Sequence, residues 1–333
     1  MIKTPDFWYT AKPSPKARAL QPIGRLYQFV TEHRLRSADP QPLDVPVVCV
    51  GNLVAGGSGK TPMVRYLVGQ AKQMGIEAHV ISRGYGGSIT GPQLVMPTLH
   101  GADQIGDEPR ELALLGCKVW VAKDRQAGAI AAARNGAELI ILDDGLQSPN
   151  IHKDAVILRI DGGSGFGNGL GVPAGPLRST IPFGMRQADL VVVLGEDVTN
   201  VSRHLPDDTP LITADLMTSG LQPAPTDDMP VYAVCGIARP ERFRASLERA
   251  GFEVAGFEAF PDHHVLSPAD WTRLQQAATD KGARLVVTMK DLARHTSFGG
   301  ETPAALLVEM SVKDPDQHLA GLLQRLTSDD LAE

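Results

Sequence analysis

Residues 45–74 read VPVVCVGNLVAGGSGKTPMVRYLVGQAKQM, and this stretch decides the fold. It opens with a continuous apolar run at 45–50, which is typical of a buried strand. It closes with a helix predicted over 62–74, because Pro62 stands in the first turn and Gly75 just beyond the last. A glycine-rich loop that joins a buried strand to a helix is the setting of a phosphate-binding loop.

The loop supplies groups that hold a nucleoside triphosphate. Its glycines allow backbone N–H groups to turn onto phosphate oxygens, beside the positive end of the following helix. The Lys60 ammonium is expected to reach the β- and γ-phosphates, and the Thr61 hydroxyl to bind Mg²⁺. The strict pattern also has glycine at position 54, where this chain has Val54. The predicted nucleotide-binding residues are Gly56, Gly57, Ser58, Gly59, Lys60 and Thr61.

Apolar strands and helices alternate along the rest of the chain. Continuous apolar strands separated by helices predict a parallel sheet that is covered on both faces. A segment rich in Pro, Gly and Asp at 218–230 is interpreted as a linker, after which shorter elements follow. The expected fold class is therefore α/β, with a P-loop NTPase-like parallel sheet domain over 1–225. A second, smaller α/β domain over 226–333 is expected to close over the site.

An acidic pair follows the apolar strand predicted at 138–142. Asp143 and Asp144 stand at the strand end, where phosphate-loop enzymes place the carboxylate that holds Mg²⁺ or orients its water. Two adjacent carboxylates repel each other, and a divalent cation relieves that repulsion. Asp143 is therefore a predicted metal ligand, and Asp144 a predicted catalytic residue together with Lys60.

Composition limits the classes of protein to which the chain can belong. The net charge of −6 argues against a nucleic-acid partner. Residues 1–36 hold seven Lys and Arg against two acids, so they carry +5 and the rest of the chain carries −11. Three distant cysteines without a Cys-x-x-Cys pair predict neither a disulfide framework nor a zinc site. No signal peptide and no apolar run of ~20 residues is present, so the cytoplasm is the expected compartment.

The basic N-terminal region predicts an amphipathic helix over 16–36. Basic residues surround an apolar face, which Phe7 and Trp8, upstream of the helix, are expected to extend. Such a helix lies on a membrane surface or packs on its own domain. The apolar face consists of Leu20, Ile23, Leu26, Tyr27, Val30 and Leu35.

A series of short motifs occurs in order along most of the chain. They are VGNL (50–53), GGSGKTP (56–62), SRGYG (82–86), GDEP (106–109), AKDR (122–125), DDGLQ (143–147), GFGNG (165–169), PAGPLR (173–178), CGI (235–237), FPDHH (260–264) and TMKD (288–291). In this succession the chain resembles the tetraacyldisaccharide 4′-kinases, lipid A pathway enzymes that phosphorylate a lipid-linked glucosamine disaccharide.

The resemblance implies a reaction, its cofactors and a location. The reaction is ATP-dependent transfer of the γ-phosphate to the 4′-hydroxyl of a tetraacylated glucosamine disaccharide 1-phosphate, with Mg²⁺. The implied partners are this acylated acceptor and the lipid surface of the inner membrane. The location is the cytoplasmic face of the bacterial inner membrane, with the enzyme bound peripherally.

The resemblance also implies roles for residues that the pattern alone leaves unassigned. Asp107, expected in the loop before a helix at 110, is the catalytic carboxylate, and its partner is His263 or the adjacent His264. Such a pair could take the proton from a sugar hydroxyl. Glu108 joins the metal ligands Thr61 and Asp143. The implied substrate-binding residues are Arg83, Arg125, Gln147, Asn168, Arg178 and His264.

Three serines depart from the family pattern, and two other functions compete with the kinase. Ser148, Ser164 and Ser179 stand where the family usually has His, Arg and Glu. The first competing function is a nucleotide-dependent switch, either a GTPase or a membrane-associated positioning ATPase. The TMKD motif has its Lys one position late for guanine recognition, and Ala55 stands where the positioning ATPases carry Lys. The second is a kinase of a soluble metabolite, which would not require the basic amphipathic segment.

Overall fold

A computed structural model describes residues 5–10, 12–56, 59–237, 239–262 and 264–328. Its strands are β1 (Val47–Gly51), β2 (Ala78–Ser82), β3 (Gln93–Leu94), β4 (Lys118–Val121), β5 (Leu139–Asp143), β6 (Ala155–Asp161), β7 (Leu190–Leu194), β8 (Leu211–Gln222), β9 (Val231–Cys235), β10 (Val254–Ala259), β11 (Arg284–Thr288) and β12 (Ala304–Lys313). They form one sheet in the order β10-β9-β11-β12-β8-β7-β6-β1-β5-β2-β4-β3. Neighbouring strands are parallel except in the β8–β12 and β3–β4 pairs.

Helices connect the parallel strands and cover the sheet. They are α1 (Pro15–Arg36), α2 (Lys60–Gln73), α3 (Ala102–Ile105), α4 (Asp107–Leu114), α5 (Arg125–Arg134), α6 (Ile181–Met185), α7 (Pro240–Arg249), α8 (Pro268–Asp280), α9 (Met289–Arg294) and α10 (His318–Thr327). This alternation confirms the predicted α/β class, and β1 and α2 are the strand and the helix predicted on either side of the phosphate loop.

Strand β1 lies inside the sheet, between β5 and β6, and is buried on both faces. Successive strand residues point to opposite faces. Val48 and Val50 pack into the cluster that contains Leu67 of α2. Val47 and Cys49 pack into the opposite cluster, to which α5 contributes. The apolar run that predicted a buried strand therefore serves two hydrophobic cores at once.

The linker predicted at 218–230 is wrong over its first part. Strand β8 continues to Gln222 and pairs antiparallel with β12, from Thr213 opposite Lys313 to Gln222 opposite Ala305. The connection to β9 is confined to 223–230. Strand β8 is held by backbone hydrogen bonds, which do not depend on the identity of its side chains. Its small and polar residues lack the apolar pattern that predicts a strand, so the sequence is interpreted as a linker. The sheet runs across residue 225, and the division into domains stays a prediction.

Helix α1 docks on the protein through small and polar residues. Gly24 is buried and faces backbone so closely that a side chain there would collide with it. The Gln28 amide donates to the carbonyl oxygen of Ser179 at 3.0 Å. A Glu32 carboxylate oxygen accepts from the N–H and hydroxyl groups of Thr180 at 2.8 and 2.7 Å. Three residues at four-residue spacing therefore form the docking face.

The apolar face predicted for α1 is largely exposed. Of its predicted members, Ile23 and Leu26 are 56% and 62% exposed, and Tyr27 and Val30 are exposed as well. Phe29, which the prediction did not include, is 68% exposed. The helix therefore packs on its own domain, as one of the two interpretations had it, but not through this apolar face. An amphipathic helix normally buries its apolar side, whereas α1 buries Gly24 and Gln28 instead. The apolar surface of α1 is available to a partner.

Trp8 does not belong to that exposed surface. Its ring is buried, and the indole N–H donates to the carbonyl oxygen of Pro173 at 3.0 Å. The expectation that Trp8 extends the apolar face is therefore wrong, because its hydrogen bond and its packing hold it inside. Phe7 is partly buried, with the Lys16 ammonium 5.3 Å from its ring centroid. Among the described residues, no helix combines the length and apolar character that crossing a bilayer requires.

Candidate active site

The phosphate loop leaves β1 and ends where α2 begins. Gly56 and Gly59 have φ angles of 82° and 101°, in the left-handed region that glycine adopts without strain. Lys60 follows as the first helical residue, and its side chain is buried. Gly57 and Ser58 lie outside the described residues.

A neighbouring segment holds the start of this loop. Val54, where the strict pattern has glycine, is buried and forms an isolated antiparallel bridge with Leu177. The N–H of Ala55 donates to the carbonyl oxygen of Pro176 at 2.7 Å. Valine is therefore tolerated at position 54 because the backbone there is extended and paired.

Two cations converge on the Asp144 carboxylate. Lys60 Nζ lies 2.9 Å from Asp144 Oδ2. Arg178 Nη1 lies 2.9 Å from Oδ1 and 3.0 Å from Oδ2, and it also donates to Gln147 Oε1 at 3.0 Å. Burial alone would raise the pKa of Asp144, but Lys60 and then Arg178 outweigh burial and lower this pKa. Asp144 is therefore ionised at neutral pH.

Arg125 supports the backbone that carries the acidic pair. Asp144 has a φ of 53°, so the chain turns sharply there. Arg125 Nη2 donates to the carbonyl oxygens of Asp143 and Asp144 at 3.1 and 3.0 Å, and Nη1 donates to Ser148 Oγ at 2.8 Å. The guanidinium of Arg125 is thus bound to the protein, whereas Arg83, just after β2, is exposed.

Asp143 is a buried carboxylate with one unsatisfied oxygen. Ser82 Oγ lies 3.4 Å from Oδ2, while Oδ1 has no hydrogen-bond partner within the described part of the chain. Burial raises the pKa of Asp143 to about 7, and the negative charge of Glu108 adds to the rise while Lys60 opposes it. A divalent cation would pair with this oxygen and favour the ionised form, so the site fits Mg²⁺.

The other two predicted metal ligands lie in the first turns of two helices. Thr61 is buried in α2, and Glu108 is the second residue of α4. Within the described ranges, no three His, Cys, Asp or Glu side chains form a cluster that could hold a metal ion. The predicted set contains only two carboxylates, Asp143 and Glu108, with one hydroxyl, and it stays a prediction.

Asp107 is the first residue of helix α4, not part of a loop before residue 110 as predicted. Acidic residues are favoured in the first turn because they face the positive helix end. Arg294 of α9 places Nε 3.0 Å from Asp107 Oδ2, and Nη1 2.9 Å from Asp291 Oδ1. The ion pair between Asp107 and Arg294 was not predicted, because no sequence pattern relates residues so far apart in the chain. His263 lies outside the described residues, so its pairing with Asp107 stays a prediction.

Glu111 is a buried carboxylate that sequence analysis also missed. Its Oε2 has no hydrogen-bond partner among the residues that the structure describes. Burial raises the pKa of Glu111 to about 7; Lys290 opposes the rise, and Glu108 and Asp107 add to it. The spacing of Asp107 and Glu111 could have indicated that the two carboxylates are neighbours, because residues four apart lie on one helical face.

Two predicted substrate-binding residues contact their own surroundings. The Asn168 amide donates to the carbonyl oxygens of Phe7 and Ala174 at 3.2 and 3.0 Å. The His264 ring stacks on Phe260 with 5.2 Å between the centroids. Both contacts fix local conformation, and the substrate-binding roles of Asn168 and His264 stay predictions.

The three serines that depart from the family pattern fit their local surroundings. Ser148 accepts from Arg125, and Ser164 Oγ donates to Asp161 Oδ1 at 2.9 Å. Ser179 is buried, and its hydroxyl has no hydrogen-bond partner in the described ranges. Of these three serines, Ser148 is the one that contacts Arg125, the residue that holds the backbone of Asp143 and Asp144.

A family model described as tetraacyldisaccharide-1-P 4′-kinase matches residues 16–327. The chain belongs to this family. It is 40% identical over 319 residues to the tetraacyldisaccharide 4′-kinase of Rhodospirillum centenum, covering 95% of this chain and 94% of that protein. The enzyme of the same name from Gluconacetobacter diazotrophicus is 41% identical over 293 residues, which cover 88% and 89% of the two chains.

Structure comparison agrees with the sequence relatives. The crystal structure of LpxK from Aquifex aeolicus in complex with ATP has a TM-score of 0.77 and 27% identity. It covers 94% of this chain and 99% of that one. The resemblance to the tetraacyldisaccharide 4′-kinases and the P-loop kinase fold are thereby confirmed, and the chain is a phosphotransferase.

The raised pKa of Glu111 predicts an unusual dependence of stability on pH. Because this pKa rises from 4.5 to about 7 on folding, the contribution of Glu111 to stability is complete below about pH 4.5 and is lost as the pH rises through 7. We expect Glu111→Gln, measured by urea unfolding with EDTA and no nucleotide, to be more stable than the native chain at pH 8 by about 1–3 kcal/mol. The gain should vanish near pH 4.5.

The exposed Glu241→Gln on α7 serves as the matched control and should leave the pH profile unchanged. Parallel pH profiles for the native chain and Glu111→Gln would contradict a buried carboxyl at position 111.

Proposed function

We propose that the chain transfers the γ-phosphate of ATP to the 4′-hydroxyl of a tetraacylated glucosamine disaccharide 1-phosphate. The observation that carries this proposal is the contact of Lys60, from the phosphate loop, with Asp144, from the acidic pair. These are the two halves of a phosphoryl-transfer site. The acceptor follows from the name that the relatives carry, and the Aquifex complex supports ATP as the donor.

The acidic side of the site fits Mg²⁺. When bound, Mg²⁺ would supply positive charge that offsets the negative charge of the triphosphate. Thr61, Asp143 and Glu108 would hold it. The unsatisfied Asp143 oxygen is the observation that supports this set.

The side chains divide the transfer step among themselves. The 4′-oxygen attacks the γ-phosphorus, the bond to the β–γ bridging oxygen breaks, and ADP leaves. When ATP binds, the Lys60 ammonium leaves Asp144 and contacts phosphate oxygens instead. Arg178 keeps Asp144 in place. Asp107 and His263 together take the hydroxyl proton, with Arg294 fixing the orientation of Asp107.

The acceptor's phosphate needs a cation outside the nucleotide site. Arg125 and Arg178 are bonded to the acidic loop, so the exposed Arg83 is best placed for the 1-phosphate. Gln147, Asn168 and His264 complete the proposed acceptor site.

The chain reaches its lipid acceptor through the exposed apolar face of α1, at the cytoplasmic face of the bacterial inner membrane. The region 1–36 carries +5, and anionic lipid attracts each basic residue near the surface by about 1 kcal/mol. The exposed Leu26 and Phe29 would enter the headgroup layer. The protein binds the membrane peripherally.

Replacing Lys60 tests the nucleotide site. We expect Lys60→Ala to slow phosphate transfer roughly 10²–10⁴-fold, because positioning and charge neutralisation carry most of phosphoryl-transfer catalysis. The assay follows labelled γ-phosphate from ATP to a 1-phosphorylated acylated glucosamine disaccharide, with Mg²⁺ and detergent. The exposed Lys72→Ala on the same helix is the control. Near-native turnover by a folded Lys60→Ala variant, or native transfer only to soluble acceptors, would contradict the proposal.

A double-mutant cycle tests the proton-accepting pair. If Asp107 and His263 act as one unit, Asp107→Ala, His263→Ala and the double variant should be slowed to within about threefold of one another. Initial rates at saturating ATP measure the effect, and His264→Ala distinguishes the two adjacent histidines. Losses that multiply in the double variant would show that the two residues act independently.

Removing the apolar face of α1 tests the membrane surface. We expect Ile23→Ser, Leu26→Ser and Phe29→Ser together to weaken binding to anionic vesicles at least ~10-fold, while the Kd for ATP stays unchanged. Sedimentation with vesicles measures the first quantity and calorimetry the second. A matched control replaces three equally exposed residues outside α1, Leu99, Val198 and Met217, by serine. Equal vesicle binding by the two triple variants would refute the assignment.

A further inference from the structure

Arg159 is a buried cation beside the phosphate loop that makes no hydrogen bond within the described part of the chain. It follows Ile157 by two residues in β6 and so faces the same side of the sheet, toward α2, and it is fully buried. Its Nε and both Nη atoms have no hydrogen-bond partner anywhere in the described ranges. Asp161 Oδ2 lies 3.7 Å away, beyond hydrogen-bond distance. The other Asp161 oxygen already accepts from the N–H and hydroxyl groups of Ser164.

A buried guanidinium without hydrogen bonds requires an explanation, because burying polar N–H groups that are not bonded is unfavourable. The two other arginines that are buried as whole residues in the described chain, Arg110 and Arg294, are hydrogen-bonded. Arg110 donates to the carbonyl oxygens of His100, Ala293 and His295 at 3.1, 2.6 and 2.7 Å. Arg294 binds two carboxylates. Arg159 differs from both, so its partner is to be sought outside the protein.

The position of Arg159 identifies that partner. A Cβ atom added to Gly59 would lie 3.0 Å from Arg159 Nη2 and 3.2 Å from Cζ. The guanidinium therefore lies against the last glycine of the phosphate loop, directly before Lys60. Backbone N–H groups of such loops cradle the α- and β-phosphates. The Arg159 guanidinium thus places a positive charge next to the phosphate-binding backbone, on the side that faces the sheet.

We infer that the phosphates of the bound nucleotide are the counter-ion of Arg159. This inference rests on the proposed function, in that a nucleotide occupies the loop. The buried charge acts through the low-dielectric interior, so a direct hydrogen bond is not required. Lys60 is already paired with Asp144 at 2.9 Å. Arg159 has the partly exposed Asp161 at the longer distance of 3.7 Å, and none of its nitrogens makes a hydrogen bond in the described chain. Arg159 is therefore a positioning residue that holds phosphates in the loop.

Charge-removing and charge-keeping variants test the inference. Without nucleotide, Arg159→Met should melt at a higher temperature than the native chain, because a buried charge that makes no hydrogen bond is gone. By calorimetry it should bind MgATP and MgADP about 10- to 100-fold more weakly. Arg159→Lys should stay within about threefold of the native Kd. Arg110→Met is the matched control for melting, and it should melt lower because Arg110 is fully bonded.

An unchanged Kd in Arg159→Met overturns the inference. So does an equal loss of affinity in the Met and Lys variants with lowered melting temperatures, because that result marks a packing role. If Arg159→Met does not fold, Arg159→Gln takes its place with the same expected Kd. Because binding is measured without acceptor, native MgATP binding without phosphate transfer refutes the proposed function alone. No MgATP binding by the native chain refutes both.

Discussion

The parallel pairing of β1 with β5 is the constraint on which the site depends. Val50 pairs with Asp143, so the loop that leaves β1 and the acids that end β5 emerge side by side. This adjacency brings Lys60 within 2.9 Å of Asp144. Strand β6 pairs with the other edge of β1 and brings Arg159 to the same loop. A glycine loop, an acidic pair and a buried arginine become one site because three parallel strands end together.

The strand ends and the neighbouring helix α4 concentrate charge that the protein does not neutralise by itself. Asp143 and Glu111 are buried carboxylates whose pKa values rise to about 7, and Arg159 is a buried guanidinium without a hydrogen bond in the described chain. Each of these groups lowers the stability of the folded protein when it is charged and unpaired. On the proposals made above, a polyphosphate would compensate Arg159, and a divalent cation would compensate Asp143. The site is therefore preorganised for its ligands at the expense of stability.

The strand and the helix that flank the phosphate loop could be predicted because neighbouring residues in the sequence determine them. The strand at 45–50, the loop and the helix at 62–74 followed from continuous apolar residues and from Pro62 and Gly75, and the structure has all three elements. Strand β8 was hidden because its hydrogen bonds come from β12, whose partner residues are about 90 positions away. Arg159 left a visible signal, a charge inside an apolar strand, but its meaning depends on contact with Gly59. Burial and contacts between residues distant in the chain could not be predicted from the sequence alone.

The segment 171–180 couples the exposed surface of α1 to the phosphate loop. On one side it binds the docking face of α1, at Gln28 and Glu32. On the other side it pairs with Val54 and supplies Arg178 to the acidic pair. Because α1 docks through small and polar groups and exposes its apolar face, burial within the protein does not explain its amphipathic pattern. The proposed lipid surface would explain this pattern, and an acceptor held at that surface would lie next to the segment that carries Arg178. On that proposal, the helix relates the plane of the membrane to the position of the phosphate loop, as an enzyme with a soluble donor and a lipid acceptor requires.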